Sequence, residues 1–303
     1  TVTRNGSMPS ADLHIAAPAK INLGLAVTDR RADGFHNLIS VFQTVSWSDE
    51  LEFAEADDIS LTCSDDDLPV GPDNLVWRAA ELVRRRFGIE RGVRIHLRKS
   101  IPWGAGLGGG SSDAAATLRG LSKLWEIDAD ESTWLALCAE LGSDVPFFLR
   151  GGTAIVTGRG EFVEWLPNRT DSTGLAFVVA VPPTTVSTPW AFRTLVSHYA
   201  GQYPDVGSYR EYVDAFRKNT LTLRDFCERL DGLNTFQSIV EAHHPEIATV
   251  RRYLADAGAI VALMSGSGSA VFGVFDEASD ADHALASLGA GVRAMRVDAI
   301  PAV

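Results

Sequence analysis

The sequence predicts an α+β protein of two domains, and three observations carry the prediction. Its 303 residues, 46% of them hydrophobic, suffice for one large or two modest cores. From about residue 246 the hydrophobic periodicity runs helix, strand, turn, strand, helix, strand, the alternation of a ferredoxin-like two-layer unit. The polar stretch 167–174 separates that half from one that opens on strands and then turns helical, which gives domains over 8–168 and 169–303.

Taken in order, strand-type runs at 23–27 and 41–45 flank the turn signal Arg31-Ala32-Asp33-Gly34 and predict a hairpin or meander. Asp65-Asp66-Asp67 with Pro69, Gly71 and Pro72 is a solvated loop. Asn74 is placed to cap a helix, because Leu75, Ala79, Leu82, Val83 and Phe87 recur at helical spacing and Gly88 follows as a stop. Val93, Ile95 and Leu97 alternate with Arg94, His96 and Arg98, the pattern of a half-buried strand. A glycine-rich loop over 104–110 leads into an alanine-rich helix at 112–124, and a second helix over 133–141 stops at Gly142. Gly151-Gly152 introduces a strand over 153–157, and 175–181 is a buried strand run. Helices at 246–257 and 281–288 and strands at 260–264, 271–275 and 292–297 complete the chain.

Composition narrows the function. Against 27 basic residues stand 39 acidic ones, a formal net charge of -12, which disfavours general affinity for nucleic acid or anionic membrane. Cys63, Cys138 and Cys227 are odd in number and widely spaced, the pattern of reduced thiols rather than a disulfide framework or metal site. No apolar run approaches the ~20 residues that span a bilayer. Met8 is a candidate natural start, and the N-terminus lacks the basic-then-apolar layout of a signal peptide. These features predict a soluble, cytoplasmic protein with no nucleic-acid or membrane partner.

The sharpest chemical feature is Pro102-Trp103-Gly104-Ala105-Gly106-Leu107-Gly108-Gly109-Gly110-Ser111-Ser112, between a strand and a helix. Glycines let the backbone adopt positive φ and approach a ligand closely, and free N–H groups at a helix start bind phosphate oxygens. A polyphosphate cradle follows. Gly110 stands where a Walker A lysine belongs, so the loop is not that P-loop. Gly104, Gly106 and Gly109 fit G-x-G-x-x-G, but Glu126 follows a helical run instead of ending a second strand, which argues against a dinucleotide site.

Asp144 in Gly142-Ser143-Asp144-Val145-Pro146-Phe147 lacks a local cation and suits either a general base or a helix cap. Lys20 and Asn22 interrupt an apolar strand pattern, and a buried lysine needs a partner, which Asp144 would supply. Phe35 and His36 on a turn are able to stack on a ring and bond its edge. Gly266-Ser267-Gly268 joins two strands as a tight hairpin, and its backbone donors also suit closure over phosphate.

Pro18-Ala19-Lys20-Ile21-Asn22, the loop over 102–112 and Gly266-Ser267-Gly268 resemble, in this order, the three motifs of the GHMP small-molecule kinases, named for galactose, homoserine, mevalonate and phosphomevalonate. Arg31-Ala32-Asp33-Gly34-Phe35-His36 and Leu141-Gly142-Ser143-Asp144-Val145-Pro146-Phe147 are similar to one branch of that family, whose acceptor alcohol carries a cytidine diphosphate. The likeness runs from Ala17 to about Phe275 and is weakest over 197–230.

The resemblance implies a two-domain fold: an N-terminal domain like the second domain of ribosomal protein S5, a ferredoxin-like C-terminal domain, and a cleft between them. It implies ATP as phosphoryl donor, Mg2+, and transfer to the 2-hydroxyl of a methylerythritol unit on the non-mevalonate route to isoprenoids. By position, Lys20 and Asp144 match the family's catalytic pair, and 102–112 its ATP loop. Asn74 and Lys99 match residues near the adenine, and Asn22 and His36 match substrate contacts. Phe35 and Phe192 match the aromatics that sandwich the cytosine. Phe35 stands where tyrosine is usual, and Asn234-Thr235-Phe236 matches the family pattern only in part, so Asn234 receives no role. The competing expectations are a family kinase acting on homoserine, mevalonate or a sugar, a non-catalytic ATP-binding sensor, and an NAD-dependent oxidoreductase.

Overall fold

In the N-terminal half, β1 (Leu13–Arg30) and β2 (His36–Ala56) form a long antiparallel hairpin. Its turn is closed by Arg31 N donating to the Phe35 carbonyl at 2.8 Å and Phe35 N donating to the Asp33 carboxylate at 3.1 Å. Both strands outrun the apolar runs that predict them, because Lys20, Asn22, Ser40, Gln43 and Thr44 are buried with polar partners instead of ending the strand. The computed structural model describes residues 13–167, 174–200 and 202–302. Met8 and residues 168–173 of the expected linker lie outside them.

After β3 (Ser60–Cys63), α1 (Leu75–Phe87) is capped as expected: Asn74 Oδ1 accepts from Val76 N at 2.9 Å, and Gly88 ends the helix at φ +64. β4 (Gly92–Arg98), α2 (Gly109–Leu124), α3 (Glu131–Leu141), the single turn α4 (Val145–Phe148), β5 (Thr153–Gly158) and β6 (Phe162–Trp165) follow. The sheet runs β3-β4-β2-β5-β6, with β1 on the long β2. Helix α2 begins at Gly109, earlier than the expected 112, because Gly108 at φ +71 already turns the chain and Ser112 N donates to its carbonyl at 2.9 Å. Likewise α3 begins at Glu131, where Asp130 accepts from Thr133 N at 2.8 Å.

The C-terminal half contributes β7 (Ala176–Val181), α5 (Thr188–Tyr199), α6 (Gly207–Arg217), α7 (Leu223–Glu228), α8 (Gln237–His243), α9 (Pro245–Asp256), β8 (Val261–Met264), β9 (Val271–Phe275), α10 (Ala278–Ala286) and β10 (Arg293–Val297). Its antiparallel sheet has the order β10-β7-β9-β8, the ferredoxin-like arrangement expected from the C-terminal periodicity.

Two pieces of this half pack on the other. Tyr209, Val213, Phe216 and Phe226 of α6 and α7 share one core with Ile21, Leu23 and Val41, and Tyr209 Oη donates to the Leu23 carbonyl at 2.8 Å. The tail after β10 fills the stretch of the β2 edge between its β5 and β4 partners, with Ile300 N donating to the Thr44 carbonyl at 3.0 Å. A boundary at 168 therefore divides the chain by sequence while the hydrophobic core continues across it. No helix among the described residues is long and apolar enough to cross a membrane.

Candidate active site

Three segments far apart in sequence meet at one atom. The Gly106 carbonyl accepts from Lys20 Nζ and from Ser265 Oγ, each at 3.0 Å. Lys20 reaches it from β1, whose backbone is tied to the loop by Lys20 N donating to the Leu107 carbonyl at 2.9 Å. Its ammonium also donates to Asn22 Oδ1 at 2.6 Å and lies 4.7 Å from the Phe42 ring centre. Asn22 is held in turn, its Nδ2 donating to Ser40 Oγ at 2.9 Å. Lys20 is only 3% exposed, and burial pulls its pKa below the ordinary lysine range while the charge of Asp144 opposes the shift.

Backbone geometry explains the loop's composition. Gly106 at φ +79 leaves no room for a side chain, since a Cβ there would collide with the Ser265 carbonyl. A Cβ on Gly108 at φ +71 would come within 2.8 Å of the Phe148 ring and 3.1 Å of Lys20 Cγ. On either side of Gly106, Ala105 and Leu107 are buried in the core. Pro102 is half-buried, while Trp103 is 53% exposed beside Gly104, where a Cβ would meet only open space.

At the loop's end, Gly108 offers α2 no side-chain cap and the first turn carries no acidic residue, so the amides of Gly109, Gly110 and Ser111 are suited to an anion. Ser112 Oγ is buried there without a hydrogen-bond partner. The turn with Gly266, Ser267 and Gly268 docks on this loop: Ala270 N donates to the Ala105 carbonyl at 2.9 Å, and a Cβ on Gly266 would lie 3.2 Å from the Gly106 oxygen.

Asp144 precedes α4 without making a side-chain cap hydrogen bond, so the capping expectation is not met. It is half-buried, and a Cβ on Gly160 would come within 3.1 Å of its Oδ1. Among the described residues Lys20 and Asp144 make no direct ion pair. They interact through space, which leaves the ammonium neutral oxygens as its contacts.

The remaining candidates sit apart from this point. His36 stacks on Phe192 with centroids 5.0 Å apart and meets Tyr203 edge-on at 5.8 Å, and its Nε2 is buried without a partner. Burial, seconded by Arg30, lowers the His36 pKa, and Asp29 opposes it. Phe35 is 54% exposed, with the Arg159 guanidinium 4.8 Å from its ring centre, so Phe192 faces His36 and not Phe35. The Asn74 side chain is spent on its cap and on the Pro69 carbonyl, to which Nδ2 donates at 2.7 Å.

Lys99 is also committed: its ammonium lies between Asp49 at 2.5 Å and Asp113 at 2.8 Å, all three buried. Burial pulls Lys99 down, but the two carboxylates outweigh it and hold the ammonium above its ordinary value. Burial raises the Asp113 carboxyl, with Lys99 opposing.

Sequence reasoning passed over Asp49, Asp113 and Ser265 and gave Asn234 no role. Asn234 Nδ2 donates to the Met264 and Gly266 carbonyls at 2.7 and 3.0 Å, which holds the docking turn in place. The available signal was an acid or amide inside an otherwise apolar neighbourhood, the signal that did single out Lys20. Among the described residues no group of three His, Cys, Asp or Glu is placed to hold a metal ion.

The family model for the GHMP kinases N terminal domain matches residues 74–152, and that for the GHMP kinases C terminal matches 213–294. The chain is 42% identical over 274 residues to the 4-diphosphocytidyl-2-C-methyl-D-erythritol kinase of Chlorobium phaeobacteroides, covering 90% of this chain and 92% of that one. Among solved structures, a 4-(cytidine 5'-diphospho)-2C-methyl-D-erythritol kinase superposes with a TM-score of 0.74 at 34% identity, covering 95% of this chain and all of that one. A homoserine kinase from Cytophaga hutchinsonii reaches a TM-score of 0.71 at 19% identity over 99% of this chain and 98% of that one, a likeness of fold.

Proposed function

The chain belongs to the 4-diphosphocytidyl-2-C-methyl-D-erythritol kinases of the GHMP kinase family, and from that membership and the geometry around Lys20 we propose how it phosphorylates its alcohol. ATP donates its γ-phosphoryl group to the 2-hydroxyl of the methylerythritol unit: the new bond joins that oxygen to the γ-phosphorus, the bridging bond to the β-phosphate breaks, and ADP leaves. The hydroxyl proton goes to the Asp144 carboxylate. The observation that carries this reading is the convergence of β1, the glycine loop and the 265–268 turn on the Gly106 carbonyl, which puts a buried ammonium beneath a phosphate-type loop.

Such a transfer asks mainly for positioning and charge stabilisation. The amides at the start of α2 hold the β- and γ-phosphates. Lys20 offsets negative charge that develops between alkoxide and phosphoryl group, which its neutral contacts leave it free to do. The buried, unpartnered Ser112 hydroxyl, a hard oxygen ligand, would hold Mg2+, which would supply charge neutralisation at the phosphates. Asn74 and Lys99 lie near the adenine by family position. With both side chains engaged elsewhere, any adenine contact of theirs is a backbone one.

At the other end of the substrate, Phe35 and Phe192 enclose the cytosine and His36 bonds its edge, while Asn22, beside Lys20, bonds the acceptor alcohol. The orphaned His36 Nε2 supports this, and the base enters as Phe192 gives up its stack on His36. The two domains meet near residue 168, and the enzyme works in the cytoplasm on a small molecule without an obligate protein partner. A coupled assay for ADP release, comparing the cytidyl substrate with homoserine, mevalonate and galactose, tests the assignment. Turnover of any of the last three at the rate of the first would overturn it.

A further inference from the structure

The glycine loop is tethered at both ends to one buried cation. At its entrance, Asp49 of β2 is fully buried, and its Oδ1 accepts from Ser100 N at 2.5 Å and Ile101 N at 2.8 Å, the two residues before Pro102. Asp49 Oδ2 accepts from Lys99 Nζ at 2.5 Å. At the exit, the same Nζ donates at 2.8 Å to Oδ2 of Asp113, in the second turn of α2. A Cβ on Gly109 would lie 3.3 Å from that nitrogen, so the ammonium sits directly beneath the first helical residue. Among the described residues, Asp49 and Asp113 are the two buried carboxylates of the chain.

A buried cluster of two acids and one base is weak evidence for stability, because desolvation consumes most of the attraction, and a cluster with no net positive charge beneath a phosphate site gives ATP no direct pull. The best-attested use of such groups is to fix register. Two acceptors on one nitrogen set the separation between the strand that enters the loop and the helix that leaves it. That separation decides where the amides of 109–111 point, and phosphate binding by backbone donors depends on their being aimed beforehand.

We propose that Asp49 is a positioning residue for ATP, acting through Lys99 and Asp113 to hold the two ends of the glycine loop at the spacing that aims its amides. The proposal rests on the assignment of the loop to ATP.

The test is titration with ATP in the absence of the alcohol, together with the KM of each substrate, for the wild type, Asp49→Asn and Asp113→Ala. Asp49→Asn presents an amide donor or a neutral oxygen to Lys99 and loosens the entrance. Asp113→Ala cuts the exit tie and leaves Lys99 neutralised by Asp49, with alanine favouring the helix. Each variant is expected to weaken ATP binding by about 10-fold, the scale of a small misplacement in a preorganised site, with the KM of the alcohol unchanged. The double variant should lose less than the product of the two, because either cut frees the loop. Should Asp49→Asn fail to fold, the same expectation for Asp113→Ala carries the test. Variants that lose thermal stability but bind ATP as the wild type does would overturn the proposal and leave the kinase assignment standing. A wild type that does not bind ATP would remove both.

Discussion

Lys20 Nζ lies 2.6 Å from Oδ1 of Asn22, two residues along the same strand and on the same face of it. Asn22 gives the ammonium an acceptor and no countercharge, and the Gly106 carbonyl does the same. Asp144 supplies the opposing charge from farther away, and burial outweighs it.

The folded state therefore carries a penalty for the charged lysine, and Lys20→Met should stabilise the protein at pH 7 while abolishing turnover. The sign follows from linkage: the folded-state pKa lies below the ordinary 10.5, so the penalty is present at low and neutral pH and is relieved as pH rises through the folded pKa toward 10.5. Thermal melts of both proteins at pH 7 and pH 10 check this. The advantage of the methionine variant should shrink at the higher pH, and a less stable variant at pH 7 would contradict the expectation.

Asp144→Asn should lower kcat by about 100-fold to 10,000-fold, the range a general base contributes, with ATP affinity near normal. Its carboxylate makes no cap hydrogen bond, so stability should change little. Retention of more than about a tenth of the activity would demote it to a structural role. In combination with Lys20→Met the losses should fall short of their product, since the two groups interact through space.

Within the loop, Gly108 and Gly110 should respond oppositely to alanine. At Gly108 the positive φ and the nearness of Phe148 and Lys20 predict a drop in melting temperature and in kcat together. At Gly110 a Cβ meets nothing closer than Leu75 at 3.8 Å, and alanine in a helix gains roughly 0.5–1 kcal/mol. Loss of ATP affinity in the more stable Gly110→Ala protein would then report crowding of the phosphates. Melting curves and nucleotide titration separate the two outcomes.

Phe35→Ala should lower kcat/KM for the cytidyl substrate by about 5-fold to 150-fold, corresponding to ~1 to 3 kcal/mol for one aromatic stack, and leave ATP affinity unchanged. The ring is 54% exposed, so the fold should hardly notice its loss. Binding remote from the reacting hydroxyl positions it, and methylerythritol phosphate without the cytidyl group should be a very poor substrate for either protein. Equal efficiency with and without that group would remove the cytidyl assignment.

The sequence by itself determined what depends on neighbours along the chain. Asn74 before an apolar helix and Gly88 after it predict α1, and alternation predicts β4. The C-terminal periodicity predicts a ferredoxin-like sheet, and the three motifs identify the family. Each rests on a local rule of capping, pleat or backbone freedom.

Only the tertiary structure decided which polar groups meet. Lys20 was expected to need an acid and instead contacts Asn22 and a loop carbonyl, with Asp144 held back from it. Lys99, expected beside the adenine, is claimed by Asp49 from 50 positions away and by Asp113. Helix α6 and the tail belong to the second half by sequence and pack on β1 and β2. A buried charge or an open sheet edge must be satisfied by whatever the closed chain brings within about 3 Å, and that depends on how distant segments pack, which local periodicity does not encode.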